Sequence, residues 1–213
     1  MLGNQELRLL QINLHKHKER THAILNDPAT KDYTVLLLQE QYWSRFTTSS
    51  PTHHAWILYE PTLKSPDRQP RAVIYTNNTF LKPAHIIQID LPFADVTAIS
   101  IQNNHQGTKN SILLVNIYNP CQASIVQETH AALAKHIDQR QYGMILWVGD
   151  FNSHHPLWNP VQSHAHDTSG DDIIEAAVDL KLELLLPPGT VTYPAAKTTI
   201  DLIWGNPVAA AGL

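Results

Sequence analysis

Asp150 and Asn152 stand one residue apart, directly after the apolar run Met144–Val148 and Gly149, in the stretch Met-Ile-Leu-Trp-Val-Gly-Asp-Phe-Asn-Ser-His-His-Pro-Leu-Trp that spans residues 144–158. Short oxygen-bearing side chains placed where a buried strand passes into a loop can hold a metal ion or a phosphate. The strand fixes their position and the loop admits the ligand. Three other strand-like runs end in the same way, at Asn13, Glu40 and Tyr118. A further run, Thr198–Trp204, carries Asp201 within Thr-Ile-Asp-Leu-Ile-Trp. An acid in that setting is costly to bury alone, so it needs a partner or a metal. Glu40 beside Asp150 would suit a hard cation such as Mg²⁺, which takes carboxylate oxygens and keeps several waters.

These residues need elements to position them. Strands are expected at Leu7–Asn13, Thr34–Glu40, 54–59, 71–76, 84–90, 95–102, Ser111–Tyr118, Met144–Val148 and Thr198–Trp204. The polar stretch His15–Arg20 is expected to open a helix that Asp27-Pro28 stops near Asn26. Ser124 is placed to cap a second helix reaching about Arg140, and a third is expected near Asp171–Leu180. Asn103–Asn110 reads as a turn, and Gly205-Asn206-Pro207 ends the last strand before a tail of Ala, Gly and Val. There is no internal repeat and no linker, so one domain is expected over residues 1–213. Many short strands with a few helices point to an α/β fold in which sheet packs on sheet.

A chain of 213 residues with 43% hydrophobic and 16% charged residues has the composition of a globular protein. Its net charge of −4 excludes the global basic field of a non-specific nucleic-acid binder. Such a substrate would need a local patch, or a metal that offsets phosphate charge. The single cysteine, Cys121, excludes an internal disulfide and fits a reducing compartment. The N-terminal residues lack the pattern of a signal peptide, and no apolar run reaches membrane-spanning length. The expectation is a soluble intracellular protein with no membrane partner. The 13 histidines include the pairs His15/His17, His53/His54, His154/His155 and His164/His166, but their spacing matches no closed zinc signature.

The ordered set Gln11-Ile12-Asn13, Leu38-Gln39-Glu40, Asn116-Ile117-Tyr118-Asn119-Pro120, Gly149-Asp150-Phe151-Asn152 and Thr199-Ile200-Asp201-Leu202 resembles the endonuclease/exonuclease/phosphatase superfamily. The extension Ser153-His154-His155-Pro156-Leu157-Trp158 is most similar to the endonuclease domains of non-LTR retrotransposons, proteins associated with reverse transcriptase. This resemblance runs from Leu7 to Trp204 and implies a four-layer α/β/β/α sandwich of two mainly antiparallel sheets. It also implies Mg²⁺-dependent hydrolysis of a phosphodiester in DNA, with Mn²⁺ as a substitute metal, and a nuclear location if the substrate is genomic. Glu40 would ligate the metal with Asn13 helping to order metal and phosphate. Tyr118 would hold the scissile phosphate, and Asp150 and Asn152 would orient the attacking water. Asp201 would orient a general-base histidine.

The family closes on a strand bearing Ser-Asp-His, and no histidine follows His166 here. The expectation is a chain truncated at its C-terminus, lacking that strand and that imidazole, with impaired activity and an unpaired sheet edge. Two other readings stay open: a phosphatase or phosphodiesterase on small phosphate esters, and a catalytically dead remnant. His154 and His155 are read as shaping their loop, near the phosphate or not. Lys16–Arg20 is either a solvated helix face or a contact to the DNA backbone, and Arg68 and Arg71 carry a weaker suggestion of the same kind. Oligomeric state and target sequence are not legible.

Overall fold

The computed structural model describes residues 6–102, 111–120, 125–136, 138, 141–160 and 168–212. The expected turn at Asn103–Asn110, the cap at Ser124, the helix end near Arg140, and residues Cys121, His164 and His166 lie outside them. Among the described residues, ten strands form two sheets. The first has β1 (Leu9–Asn13), β2 (Val35–Gln39), β3 (Trp56–Tyr59) and β4 (Ala72–Asn77) in the order β1-β2-β4-β3. The second has β5 (Ile86–Ile89), β6 (Val96–Ile101), β7 (Ile112–Tyr118), β8 (Met144–Asp150), β9 (Glu183–Leu184) and β10 (Asp201–Gly205) in the order β5-β6-β7-β8-β10-β9. Each sheet holds one parallel pair, β1 with β2 and β7 with β8, among otherwise antiparallel neighbours. Four helices, α1 (Lys18–Asn26), α2 (Ile125–His136), α3 (Thr168–Leu180) and α4 (Pro207–Ala210), accompany them among the described residues.

Why β2 and β8 read as unbroken apolar runs is plain from the layers. Leu36 and Leu38 pack with Val73, Tyr75 and Leu25 of α1, while Val35 and Leu37 face the other sheet against Leu114, Leu146 and Val148. Across the second sheet, Val115, Ile117 and Trp147 meet Val126, Leu133 and Ile173 of α2 and α3. The central strands are thus buried on both faces, and alternation disappears. Helix, sheet, sheet and helix stack as the four expected layers.

Several boundaries move, each for a local reason. Helix α1 starts at Lys18, because His15 and Lys16 are both left-handed (φ 51° and 58°) and form a turn first. Strand β8 runs through Gly149 to Asp150 instead of ending at Val148. The last strand begins only at Asp201, because Tyr193 and Thr198 first pair as a small hairpin. The Ala-rich tail turns into α4: Asn206 accepts from the Ala209 amide (3.1 Å) and Pro207 sits in the first turn, where it needs no amide donor. Strand β1 pairs with β2 alone among the described strands, so its other edge is open.

Candidate active site

The space between the sheets changes character along its length. Alternate residues of each strand point into it, and these are apolar in the middle and polar at one end. In the first sheet the register sets Asn13 opposite Gln39, with Glu40 next. In the second it sets Tyr118 opposite Asp150 and Asp150 opposite Asp201. Parallel pairing is what allows this, since β7 and β8 then end at the same level, as do β1 and β2. Gln11, Asn13, Glu40, Tyr118, Asp150, Asn152 and Asp201 all line one cavity of about 570 Å³, together with His15, Thr192 and Tyr193. The six residues singled out from the sequence therefore meet in one place.

The carboxylates are tied across the sheets. The Asn13 side-chain amide donates to Asp150 (2.8 Å), and its own oxygen accepts from the His15 backbone N–H (2.8 Å). The Asn152 backbone N–H donates to the other Asp150 oxygen (3.1 Å), and Asn152, left-handed at φ 45°, anchors its side chain on the Asn119 carbonyl (2.9 Å). Asp201 accepts from Gln11 (2.7 Å), and Thr192 Oγ1 accepts from the Asp201 backbone N–H (3.0 Å). Glu40 faces Lys16 Nζ at 3.3 Å and His15 Nδ1 at 3.9 Å. Burial pushes the Asp150 carboxyl up to about 6, with the Asp201 and Glu40 charges adding to the rise and the Asn13 hydrogen bond opposing it. Asp201 is also raised, again chiefly by burial, with Gln11 and Thr192 pulling it back.

The polar chain behind Asp201 was not singled out from the sequence. Gln11 also donates to Gln39 (2.6 Å), Gln39 donates to Asn116, and Asn116 donates to the Leu38 and Val73 carbonyls (3.1 and 2.8 Å). Such a network is tolerated inside a core because its members have partners. Gln11→Leu should cost about 1–3 kcal/mol of stability at pH 7.5, since it strands an ionised acid. The loss should shrink below about pH 4, where Asp201 is protonated in both folded and unfolded chains. Urea unfolding at the two pH values checks this.

Tyr118 is placed by Arg71, whose guanidinium lies 4.7 Å from the ring centre while pairing with Asp95 (2.5 and 2.7 Å). The loop after Asp150 is pinned by buried Phe151 and Trp158, and by Asn159 and Thr199, which exchange hydrogen bonds (2.9 and 2.7 Å). His155 packs at a tilt against Trp158 and faces Asp171, and neither it nor His154 is among the residues that line the cavity. Among the described residues, no three His, Cys, Asp or Glu side chains are grouped closely enough to hold a metal ion by themselves. No helix among them is long and apolar enough to cross a membrane.

Residues 112–211 match the family model described as endonuclease-reverse transcriptase. No curated protein sequence matches the chain. Among solved structures, the endonuclease domain of TRAS1, a telomere-specific non-LTR retrotransposon, is similar at 18% identity and a TM-score of 0.69, over 95% of this chain and 86% of that one. The AP endonuclease LMAP from Leishmania major is similar at 12% identity and 0.67, over 95% and 80%. An endonuclease/exonuclease/phosphatase family protein from Leptotrichia buccalis follows at 12% and 0.54, over 94% and 88%. The matched segment supports the resemblance to the endonuclease/exonuclease/phosphatase superfamily, and the solved structures share the fold that the resemblance implies.

Proposed function

We propose that this chain hydrolyses phosphodiester bonds in DNA with the help of a divalent cation, as an endonuclease of retrotransposon type. The observation that carries this reading is that Glu40, Asp150 and Asp201 reach one cavity from both sheets, with Asn13 bonded to Asp150 across the gap. Among the described residues, Lys16 and His15 are the only basic side chains within ion-pair reach of any of the three, and both reach Glu40. Such an excess of oxygen donors and negative charge fits Mg²⁺, which binds through one or two carboxylates, substrate phosphate and water. Glu40 would hold it, with Asn13 alongside. When bound, the cation supplies charge stabilisation to the transferring phosphoryl group and leaving oxygen.

The chain's own residues divide the remaining work. Asp150, fixed by Asn13 and the Asn152 amide, orients the attacking water. Asn152 and Tyr118 contact the phosphate from the ends of β8 and β7, the latter with Arg71 behind its ring. The Asp201 carboxylate accepts from Gln11 and its backbone N–H donates to Thr192, and among the described residues no histidine bonds to it. These 213 residues are therefore expected to act about 10²–10⁴-fold more slowly than a relative with an imidazole against that acid.

Supercoiled plasmid, incubated with the protein and Mg²⁺ or with chelator, tests the reading. Slow, Mg²⁺-dependent conversion to open circles is expected, absent in Glu40→Gln. Release of phosphate from a monoester without nicking would favour a phosphatase, and no turnover on either substrate would favour a protein that only folds.

A further inference from the structure

The cavity continues beyond Glu40. A second depression of about 520 Å³ shares that residue as a wall and runs on past Lys16, Arg45, Arg68 and Arg71. Four of the chain's 15 basic residues thus collect in one place on a protein of net charge −4. Two are occupied: Arg71 by Asp95 and Tyr118, and Lys16 by Glu40. Arg68 is exposed and reaches the Pro92 carbonyl (3.1 Å), and Arg45 has no ion-pair partner among the described residues.

Arg45 opens a tight turn with Phe46 beside it. The Ser44 backbone N–H donates to the Ser49 carbonyl (3.0 Å), and Thr48 is left-handed at φ 48°. The base of the turn is braced by buried Trp43 and by Gln41, which donates to Ser50 Oγ (3.1 Å) and to the carbonyl of Pro70 (2.9 Å). Phe46 is 101% exposed, so its whole ring stands in water. Single exposed apolar residues are ordinary on protein surfaces. A fully exposed ring on a braced turn, next to an unpaired guanidinium that lines a groove leading to carboxylates, is a different object. Cations that track a phosphate backbone, with an aromatic face on which a base can stack, are the two parts of a strand-binding surface.

We propose that this groove is a subsite for a nucleic-acid strand, in which Arg45 and Arg68 take phosphates flanking the scissile one and Phe46 stacks on an unstacked base. The subsite rests on the phosphodiesterase reading only for which phosphate is cut. It selects polynucleotides over small phosphate esters, because the ester has neither flanking phosphate nor base to offer.

The test is binding of a fluorescent single-stranded oligonucleotide in chelator, compared with a strand of the same length whose central nucleotides lack bases. Phe46→Ala should weaken binding of the base-bearing strand about 5–100-fold and leave the abasic strand unchanged. Arg45→Ala should weaken both and lower the dependence of log Kd on log salt by about 0.7–1. Both positions are exposed, and a melting curve checks that the variants fold. If Phe46→Ala binds both strands as the wild type does, or the wild type binds neither, the subsite is overturned. Plasmid nicking by the wild type, run in parallel with Mg²⁺, reports on the phosphodiesterase reading separately. Nicking without Phe46-dependent binding overturns the subsite alone; Phe46-dependent binding without nicking supports the subsite and overturns the reading.

Discussion

Asp150→Asn is expected to remove Mg²⁺-dependent nicking by about 10²–10⁴-fold while flattening the pH dependence of stability in the metal-free protein. Asp150 is 3% exposed, and its carboxyl is raised to about 6 from an ordinary value of 3.8. An unfolded chain therefore ionises this group near pH 4, whereas the folded chain holds its proton to about pH 6. Between those values the folded state binds more protons, so stability falls as pH rises and levels off above pH 6. Two units correspond to about 3 kcal/mol at most, because each unit is worth 1.36 kcal/mol. The variant cannot ionise at this position and should lose that part of the slope. Denaturant unfolding at pH 4 and pH 7.5, with and without the substitution, measures it. A slope identical in both proteins would mean that Asp150 bears no unfavourable charge, and the case for a cation beside it would weaken.

Gly149→Ala should be the most damaging single change to the fold. Gly149 has φ 153°, and a Cβ there would lie 1.9 Å from the Ile117 carbonyl oxygen on β7. The obstructing atom is backbone of the parallel partner strand, paired in register with Gly149 itself. Relief requires β7 and β8 to part, and these carry Tyr118 and Asp150. The expected cost lies at or above the upper end for overpacking, about 3 kcal/mol or more, seen as insoluble expression or a melting temperature lower by roughly 10 °C. Gly189→Ala is the control: its φ of 81° strains an alanine, but the nearest atom to a new Cβ is 3.8 Å away. It should cost about 1 kcal/mol. Equal melting temperatures for the two variants would contradict this account of β8.

The same local physics explains what could be read from the sequence and what could not. Glu40, Tyr118 and Asp150 were legible because each ends or directly follows a strand whose core burial leaves an apolar run, and a polar residue there stands out. Asp201 was legible as an acid in need of a partner, and the partners are Gln11 and Thr192. Those partners were not legible. Gln11, Gln39 and Asn116 are isolated polar residues in largely apolar strands, and they meet only because two sheets stack residues far apart in the chain. The sequence pattern places His15 at the start of a helix, yet its left-handed backbone turns it into the cavity. Strand β9, two residues long, and helix α4, built on the Asn206 cap, are too short to show a periodic pattern.

In the proposed site, strand ends from two sheets form one cradle for a divalent cation and a phosphate. Crystals soaked in Mn²⁺ and measured for anomalous scattering test it most directly. A peak is expected inside the cavity beside the Glu40 carboxylate, on the side facing Asn13 and Asp150, and it should disappear in Glu40→Gln. A peak elsewhere, or none at Mn²⁺ concentrations that support turnover, would contradict it.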